Sequence, residues 1–220
     1  MSREGGVLLL SMRNRVQAVI DAQQRRPSGV IGRLIGAQMM RQHAVETDWT
    51  LSLLAVEPTD HVLEIGFGAG RAIELVAARA TNGYIAGIDV SRTMVDAANR
   101  RNRHAVNTGR VDLRDGDVTT LPFSEQCFDK VFSVHTLYFW QDFPRAIAEL
   151  YRVLKPHGRL VLTFTPGKVG AVGQTGLAQF AARVDREILP AMKQIGFTEA
   201  MVMQGPVSRQ FEIAAVIGTR

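Results

Sequence analysis

The stretch VLEIGFGAG at positions 62–70 decides the fold. Val62, Leu63 and Ile65 read as a short apolar strand with one carboxyl, Glu64, inside it. Gly66, Gly68 and Gly70 then read as a turn that opens a helix. A chain that turns sharply and lets a ligand approach its backbone needs residues without a Cβ at those points. The spacing of the glycines narrows the ligand. A dinucleotide-binding GxGxxG would put its third glycine at position 71, which is Arg71. No Lys-Ser or Lys-Thr pair follows the glycines, so the loop is not a phosphate-cradling P-loop either.

Working outward, Trp49, Leu51, Leu53, Leu54 and Val56 precede Pro58 and predict a helix closed by a proline turn before the first strand. After the glycines, Ala72, Ile73, Leu75, Val76 and Ala77 predict a helix, and Tyr84, Ile85, Ala86 and Ile88 a second strand. The cycle repeats with a helix through Met94, Val95, Ala97 and Ala98, a third strand at Val111 and Leu113, and a fourth at Val131, Phe132 and Val134. Ala146, Ile147, Leu150 and Val153 lie at helical spacing; this helix ends at Pro156, His157 and Gly158, ahead of a fifth strand over 160–164. Strands that alternate with helices predict a parallel sheet covered on both faces. The rhythm then breaks. A glycine-rich loop over 167–176 leads to a helix over 177–195, and strands over 197–204 and 210–217 are joined by too few residues for a helical crossover. The last strand therefore runs antiparallel.

Composition bounds the rest. The chain has 220 residues, 46% hydrophobic and 21% charged, which fits one folded α/β domain and excludes a disordered chain. No apolar run approaches the roughly 20 residues of a membrane span, and none resembles a signal-peptide core, so a cytoplasmic location is expected. The single cysteine, Cys127, has no partner for an internal disulfide and reads as a core thiol. The five histidines are scattered with no pair at metal-ligand spacing, and no metal is expected. The net charge of +5 gathers in arginines such as Arg100, Arg101 and Arg103. No aromatics interleave with them to stack bases, which disfavours nucleic acid as a partner. Residues 1–45 are polar, rich in arginine and punctuated by Pro27, Ser28 and Gly29. They read as an N-terminal helical extension and lid, ahead of the main domain at 46–220.

Asp89 ends the second strand. A carboxylate in that place can accept hydrogen bonds from both hydroxyls of a ribose, and the same residue also fits an N-cap for the helix that starts near Ser91.

With these residues in place, the chain resembles the class I, Rossmann-like S-adenosylmethionine-dependent methyltransferase superfamily, close to the branch of ubiquinone and menaquinone biosynthesis methyltransferases. The similarity covers roughly 45–165 and rests on five motifs in order: VLEIGFGAG, GIDVS, RDGDVTTLPF, FDKVFSVHTLYFW and LYRVLKPHGRLVLTF. The resemblance implies a seven-stranded sheet in the order 3-2-1-4-5-7-6, with its last strand antiparallel. It implies that Glu64 governs the methionyl end of S-adenosylmethionine, and that Gly66, Phe67, Gly68 and Gly70 admit the cofactor against the loop. Asp89 would bind the ribose, with Val90 and Met94 near the adenine. Asp117 would accept from the adenine amino group, unless it is simply a turn residue after Gly116, and Val118 would offer its backbone amide. Ser133 and Val134 would face the methionine moiety.

A sulfonium already activates the methyl group, so such a protein chiefly aligns a nucleophile and excludes water. His135, at the carboxyl end of the fourth strand, is the candidate general base. Met39, His43, Tyr138 and Trp140 are candidates for the acceptor pocket together with His135, and segments 38–43 and 167–176 for its lid. Ser133-Val134-His135-Thr136 stands where amine-directed enzymes carry an Asn or Asp with Pro-Pro and an aromatic, which disfavours that chemistry. The expected activity is methyl transfer to a small molecule, with S-adenosylhomocysteine as product. An RNA or protein methyltransferase, or a cofactor-binding module without catalysis, are the alternatives.

Overall fold

A computed structural model describes residues 28–29, 42–168 and 176–220. Met39, nearly all of the 1–45 extension, and most of segments 38–43 and 167–176 lie outside the described residues.

The described elements are α1 (Ala44–Leu54), β1 (His61–Ile65), α2 (Arg71–Arg79), β2 (Tyr84–Asp89), α3 (Arg92–Arg101), α4 (Arg103–Asn107), β3 (Val111–Asp115), β4 (Phe128–Val134), α5 (Phe143–Val153), β5 (Leu154–Phe164), α6 (Gly176–Arg183), α7 (Leu189–Ile195), β6 (Thr198–Gln204) and β7 (Ala214–Thr219). The seven strands of the described residues form one sheet in the order β3-β2-β1-β4-β5-β7-β6, the order that the resemblance implies. β1 to β5 pair in parallel, and β7 runs antiparallel to both β5 and β6.

The central strands are buried on both faces, which is why they read as continuous apolar runs. Leu63 and Ile65 pack into one core layer with Ile147 and Leu150 of α5. Val62 faces the other layer, with Leu51 and Leu54 of α1 and Ile73 and Val76 of α2. α5 shows how local signals and packing agree. The Asp142 carboxylate accepts from the Arg145 amide at 3.0 Å, Pro144 occupies the first turn, and Phe143, Ala146, Ile147, Leu150 and Val153 form the buried face. Such a cap contributes about 1 kcal/mol, and each buried Ile or Leu about 1.5–3 kcal/mol.

Four details differ from the sequence reading. β5 begins at Leu154 rather than at Leu160: Leu154 pairs with Phe128, and the register shifts before Lys130 meets Arg159. His157, at φ 65°, sits in that irregular stretch, so Pro156 and Gly158 bend an extended strand instead of preceding it. The helix expected over 177–195 is interrupted by a π-helical turn at Val184–Ile188. Pro190 has no amide to donate to the preceding turn, and the wider turn lies just before it. β7 starts only at Ala214. Cys127 is half-buried, with its thiol donating to the Ser124 carbonyl at 3.0 Å, rather than a full core residue.

Among the described residues, no helix is long and apolar enough to cross a membrane.

Candidate functional site

A cavity of about 540 Å3 opens at the carboxyl ends of the strands, between the first three strands and the stretch that follows β4. This is where open α/β sheets bind their ligands. One wall carries Glu64, Gly66, Gly68, Asp89, Met94 and Val118. The facing wall carries His43, Thr47, His135, Phe139 and Trp140.

The first wall is built by the glycine turn. Gly68 has φ 52°, and a Cβ placed there would meet nothing within 4 Å, so the backbone borders open space. Gly66 is close to Thr136, whose side chain leaves no room for a larger residue. Phe67 lines the cavity and also packs in the core, its ring against Gly87. Gly70 does not line the cavity. At φ 78°, a Cβ on it would lie 2.7 Å from Ala98 Cβ and 2.9 Å from Ala98 Cα. Its place in the motif is explained by the close approach of α3 to the start of α2, not by contact with a ligand.

Glu64 and Asp89 are both buried. Burial pushes the Glu64 carboxyl up to about 8, helped by the nearby Asp89 charge and opposed by the Ile73 backbone amide. Glu64 Oε2 has no hydrogen-bond partner among the described residues. Asp89 accepts from the Gly68 amide through Oδ2 and from the Ser91 amide through Oδ1, both at 2.8 Å. Burial raises its pKa, and these two amides oppose the rise. The cap of α3 is the Ser91 side chain, which accepts from Met94 N at 3.3 Å. Asp89 anchors the residue that caps the helix and does not cap it directly.

Val90 and Met94 line the same wall, Val90 exposed and Met94 buried. Asp117 lies at the rim, exposed, with Oδ1 accepting from both the amide and the hydroxyl of Thr119. This is the geometry of a turn residue, and Oδ2 has no hydrogen-bond partner among the described residues. Val118 follows it, buried, in the wall.

Beyond β4 the assignments divide. Val134 and His135 line the cavity, whereas Ser133 is fully buried behind it and shares a short hydrogen bond with the Thr136 hydroxyl. Tyr138 is not in the wall. It stands behind His135 with its hydroxyl 3.3 Å from His135 Nδ1, accepts from the Thr165 amide, and packs on Phe180 with ring centroids 4.7 Å apart. It is a support for the pocket, because its ring belongs to the core. Trp140 and His43 do line the cavity.

The residue that sequence reasoning missed is Glu46. This carboxylate on α1 is 1% exposed and faces both histidines: His43 Nδ1 lies 3.5 Å and His135 Nε2 3.9 Å from its Oε1. Burial opposes its ionisation, but the two imidazoles beside it outweigh this and hold the group well below the usual carboxylate range. Burial lowers the pKa of His135, against the pull of Glu46, and favours a neutral ring. A glutamate one turn from a histidine at a helix start was the available signal. Its meeting with His135 depends on the fold.

Residues 63–162 match a family model described as a methyltransferase domain. An uncharacterised methyltransferase, YdaC, of Bacillus subtilis is 28% identical over 182 residues, which cover 83% of this chain and 96% of that protein. A demethylmenaquinone methyltransferase of Symbiobacterium thermophilum is 34% identical over 105 residues, 47% of this chain but only 42% of that protein. Among solved structures, geranyl diphosphate C-methyltransferase from Streptomyces coelicolor, in complex with Mg2+, geranyl diphosphate and S-adenosyl-L-homocysteine, shares the fold. Its TM-score is 0.66 at 17% identity, over 88% of this chain and 85% of that one. In its strand order, its glycine turn and the match over 63–162, a little under half of its length, the chain is similar to class I, Rossmann-like methyltransferases and resembles the quinone-methylating branch.

Proposed function

We propose that the protein binds S-adenosylmethionine in this cavity and transfers its methyl group to a small-molecule acceptor, releasing S-adenosylhomocysteine. The observation that carries this reading is the pairing of Glu64, whose buried Oε2 is unpartnered, with the open space at Gly68 and the pinned Asp89 carboxylate. Together they offer an acceptor for an ammonium, a backbone free of side chain, and acceptors for ribose hydroxyls. These features fit the cofactor.

Glu64 would hold the methionyl ammonium, Asp89 the ribose hydroxyls through lone pairs left over from its two amide bonds, and Asp117 with Val118 the adenine. Bound there, the cofactor supplies a methyl group activated by a sulfonium, so no protein nucleophile is required. The chain's own contribution is alignment and exclusion of water. Well-oriented reactants gain roughly 7–11 kcal/mol from such alignment. The wall of His43, Thr47, His135 and Trp140 supplies the surface on which an acceptor would be aligned, and the volume is within the roughly 300–1,000 Å3 of small-molecule sites.

His135 was the candidate base, and its geometry constrains that assignment. Nδ1 faces the Tyr138 hydroxyl, while Nε2 is buried toward Glu46 and His43 and has no hydrogen bond. Neither nitrogen is directed freely into the cavity.

Two measurements test the proposal. Titration calorimetry with S-adenosylhomocysteine should give one binding event per chain. Incubation of metabolite pools with isotopically labelled cofactor should add a labelled methyl group to a small molecule. Absence of any heat with either cofactor form, on folded protein, defeats the reading.

A further inference from the structure

Three buried polar atoms on three residues, His43 Nδ1, Glu46 Oε2 and His135 Nε2, have no hydrogen-bond partner among the described residues. One ligand atom from each residue can be chosen so that all three lie within 4.8 Å of one another. Leaving a buried polar atom unpaired is destabilising, so three in one place call for a shared occupant. Direct pairing does not provide it: the imidazole nitrogens stand 3.5 and 3.9 Å from Glu46 Oε1, beyond good hydrogen-bond length.

We propose that His43, Glu46 and His135 form a binding site for a divalent first-row transition-metal ion such as Zn2+, set in the wall of the cofactor cavity. Two imidazoles and one carboxylate are the donor set of open, three-ligand metal sites. Imidazole ligands select such ions over Mg2+ and Ca2+, which take oxygen. Metal–nitrogen and metal–oxygen bonds of about 2.0–2.2 Å in a tetrahedron put neighbouring ligand atoms about 3.4 Å apart; His43 Nδ1 and His135 Nε2 stand 3.5 and 3.9 Å from Glu46 Oε1, the oxygen beside the unpartnered Oε2, so a small shift of the carboxylate or the rings closes the set. An ion between them would satisfy all three residues at once.

The surroundings fit the assignment. A metal-bound histidine usually fixes its other nitrogen through an outer partner, and here the Tyr138 hydroxyl stands 3.3 Å from His135 Nδ1, itself held by the Thr165 amide. The rings of His43 and His135 already lie with centroids 4.3 Å apart. Arg209 approaches Glu46 Oε1 at 3.5 Å, but its side chain is 42% exposed and can turn into solvent as the ion enters. His43 and His135 both line the cavity, so an ion held by them would sit in its wall. The scattered histidines that predicted no metal are thus brought together by the packing of α1 against the ends of β4 and β5.

The test uses the full chain, stripped with a chelator and desalted, without cofactor. Zn2+ titrated calorimetrically should bind at one ion per chain, and Co2+ should give the visible absorption of a low-coordinate nitrogen and oxygen site. His43→Gln and Glu46→Gln should each weaken the ion by at least about 100-fold, more than the 10–100-fold that an outer partner costs. Zn2+ should raise the melting temperature of the wild-type protein and not that of His43→Gln. Glu46 is buried and its variant can fail to fold; His43, with a side chain 25% exposed, keeps the test decisive. No stoichiometric binding, or binding unchanged in His43→Gln, overturns the proposal. S-adenosylhomocysteine titrated into stripped and loaded protein keeps the two readings apart: uptake of it without any metal binding removes the metal site and leaves the methyltransferase reading standing.

Discussion

The Asp89 carboxylate receives the Gly68 amide at 2.8 Å and so ties the end of β2 to the glycine turn that follows β1. The same side chain holds the Ser91 amide at 2.8 Å. One residue therefore shapes the turn, anchors the start of α3 and offers its remaining lone pairs to a ligand.

Replacing Asp89 by alanine should weaken S-adenosylhomocysteine by about 1.5–3 kcal/mol, the worth of charge-assisted hydrogen bonds. It also strands two amides, so the denaturation midpoint should fall as well. Unchanged titration heats would remove Asp89 from the ribose site.

Glu64 makes the protein sensitive to pH. Burial pushes its carboxyl from the ordinary 4.5 up to about 8, so the folded state carries one proton more than the unfolded chain between those values. Stability is then greatest at the acid end of that window and declines as pH rises through it, by up to about 1.4 kcal/mol per unit. Glu64→Gln should flatten that decline in urea titrations from pH 5 to 9. Placing a cofactor ammonium beside Glu64 favours the carboxylate, so binding near pH 7 should release a proton. Calorimetry in buffers of different ionisation enthalpy reads that release directly, and Glu64→Gln should abolish it.

Gly68 and Gly70 should respond oppositely to alanine. Gly70→Ala drives a Cβ into the backbone of α3, an overpacking that costs about 1–3 kcal/mol of stability, with strain at positive φ added. Gly68→Ala meets no protein atom and should cost only about 1 kcal/mol of stability, while cofactor affinity falls because the new methyl group borders the cavity. Thermal melts and calorimetry on the pair separate the two effects.

Tyr138→Phe removes a hydroxyl that meets both His135 and the Thr165 amide. A loss of about 1–3 kcal/mol in stability is expected from the unpaired buried groups. If Tyr138 serves as the outer partner of a metal ligand, Zn2+ affinity should fall about 10–100-fold.

Much of this architecture was readable from the residues. The run 62–70, the apolar strands and the short link before β7 predict a parallel sheet with an antiparallel last strand, because each is a local signal: periodicity, glycine placement and connection length; the strand order itself came only from the family resemblance. The start of β5 was not readable. Lys155, Pro156, His157 and Gly158 look like a turn, and only the pairing of Leu154 with Phe128 makes them part of a bent strand. Gly70 misled for a related reason, since a glycine demanded by helix packing looks the same in sequence as one demanded by a ligand. Glu46 was hidden more deeply. Its neighbours on α1 say only that a helix begins there, and its partner His135 belongs to the far end of β4, so no spacing rule connects them.

The two walls of the cavity come from different parts of the chain, the glycine turn with the ends of β2 and β3 on one side, and α1 with the segment after β4 on the other. On the proposed reading, selection can exchange one methyl acceptor for another by rewriting positions such as 47, 139 and 140 while the wall assigned to the nucleoside stays intact. A library confined to those positions would explore new substrates without forfeiting the methyl donor.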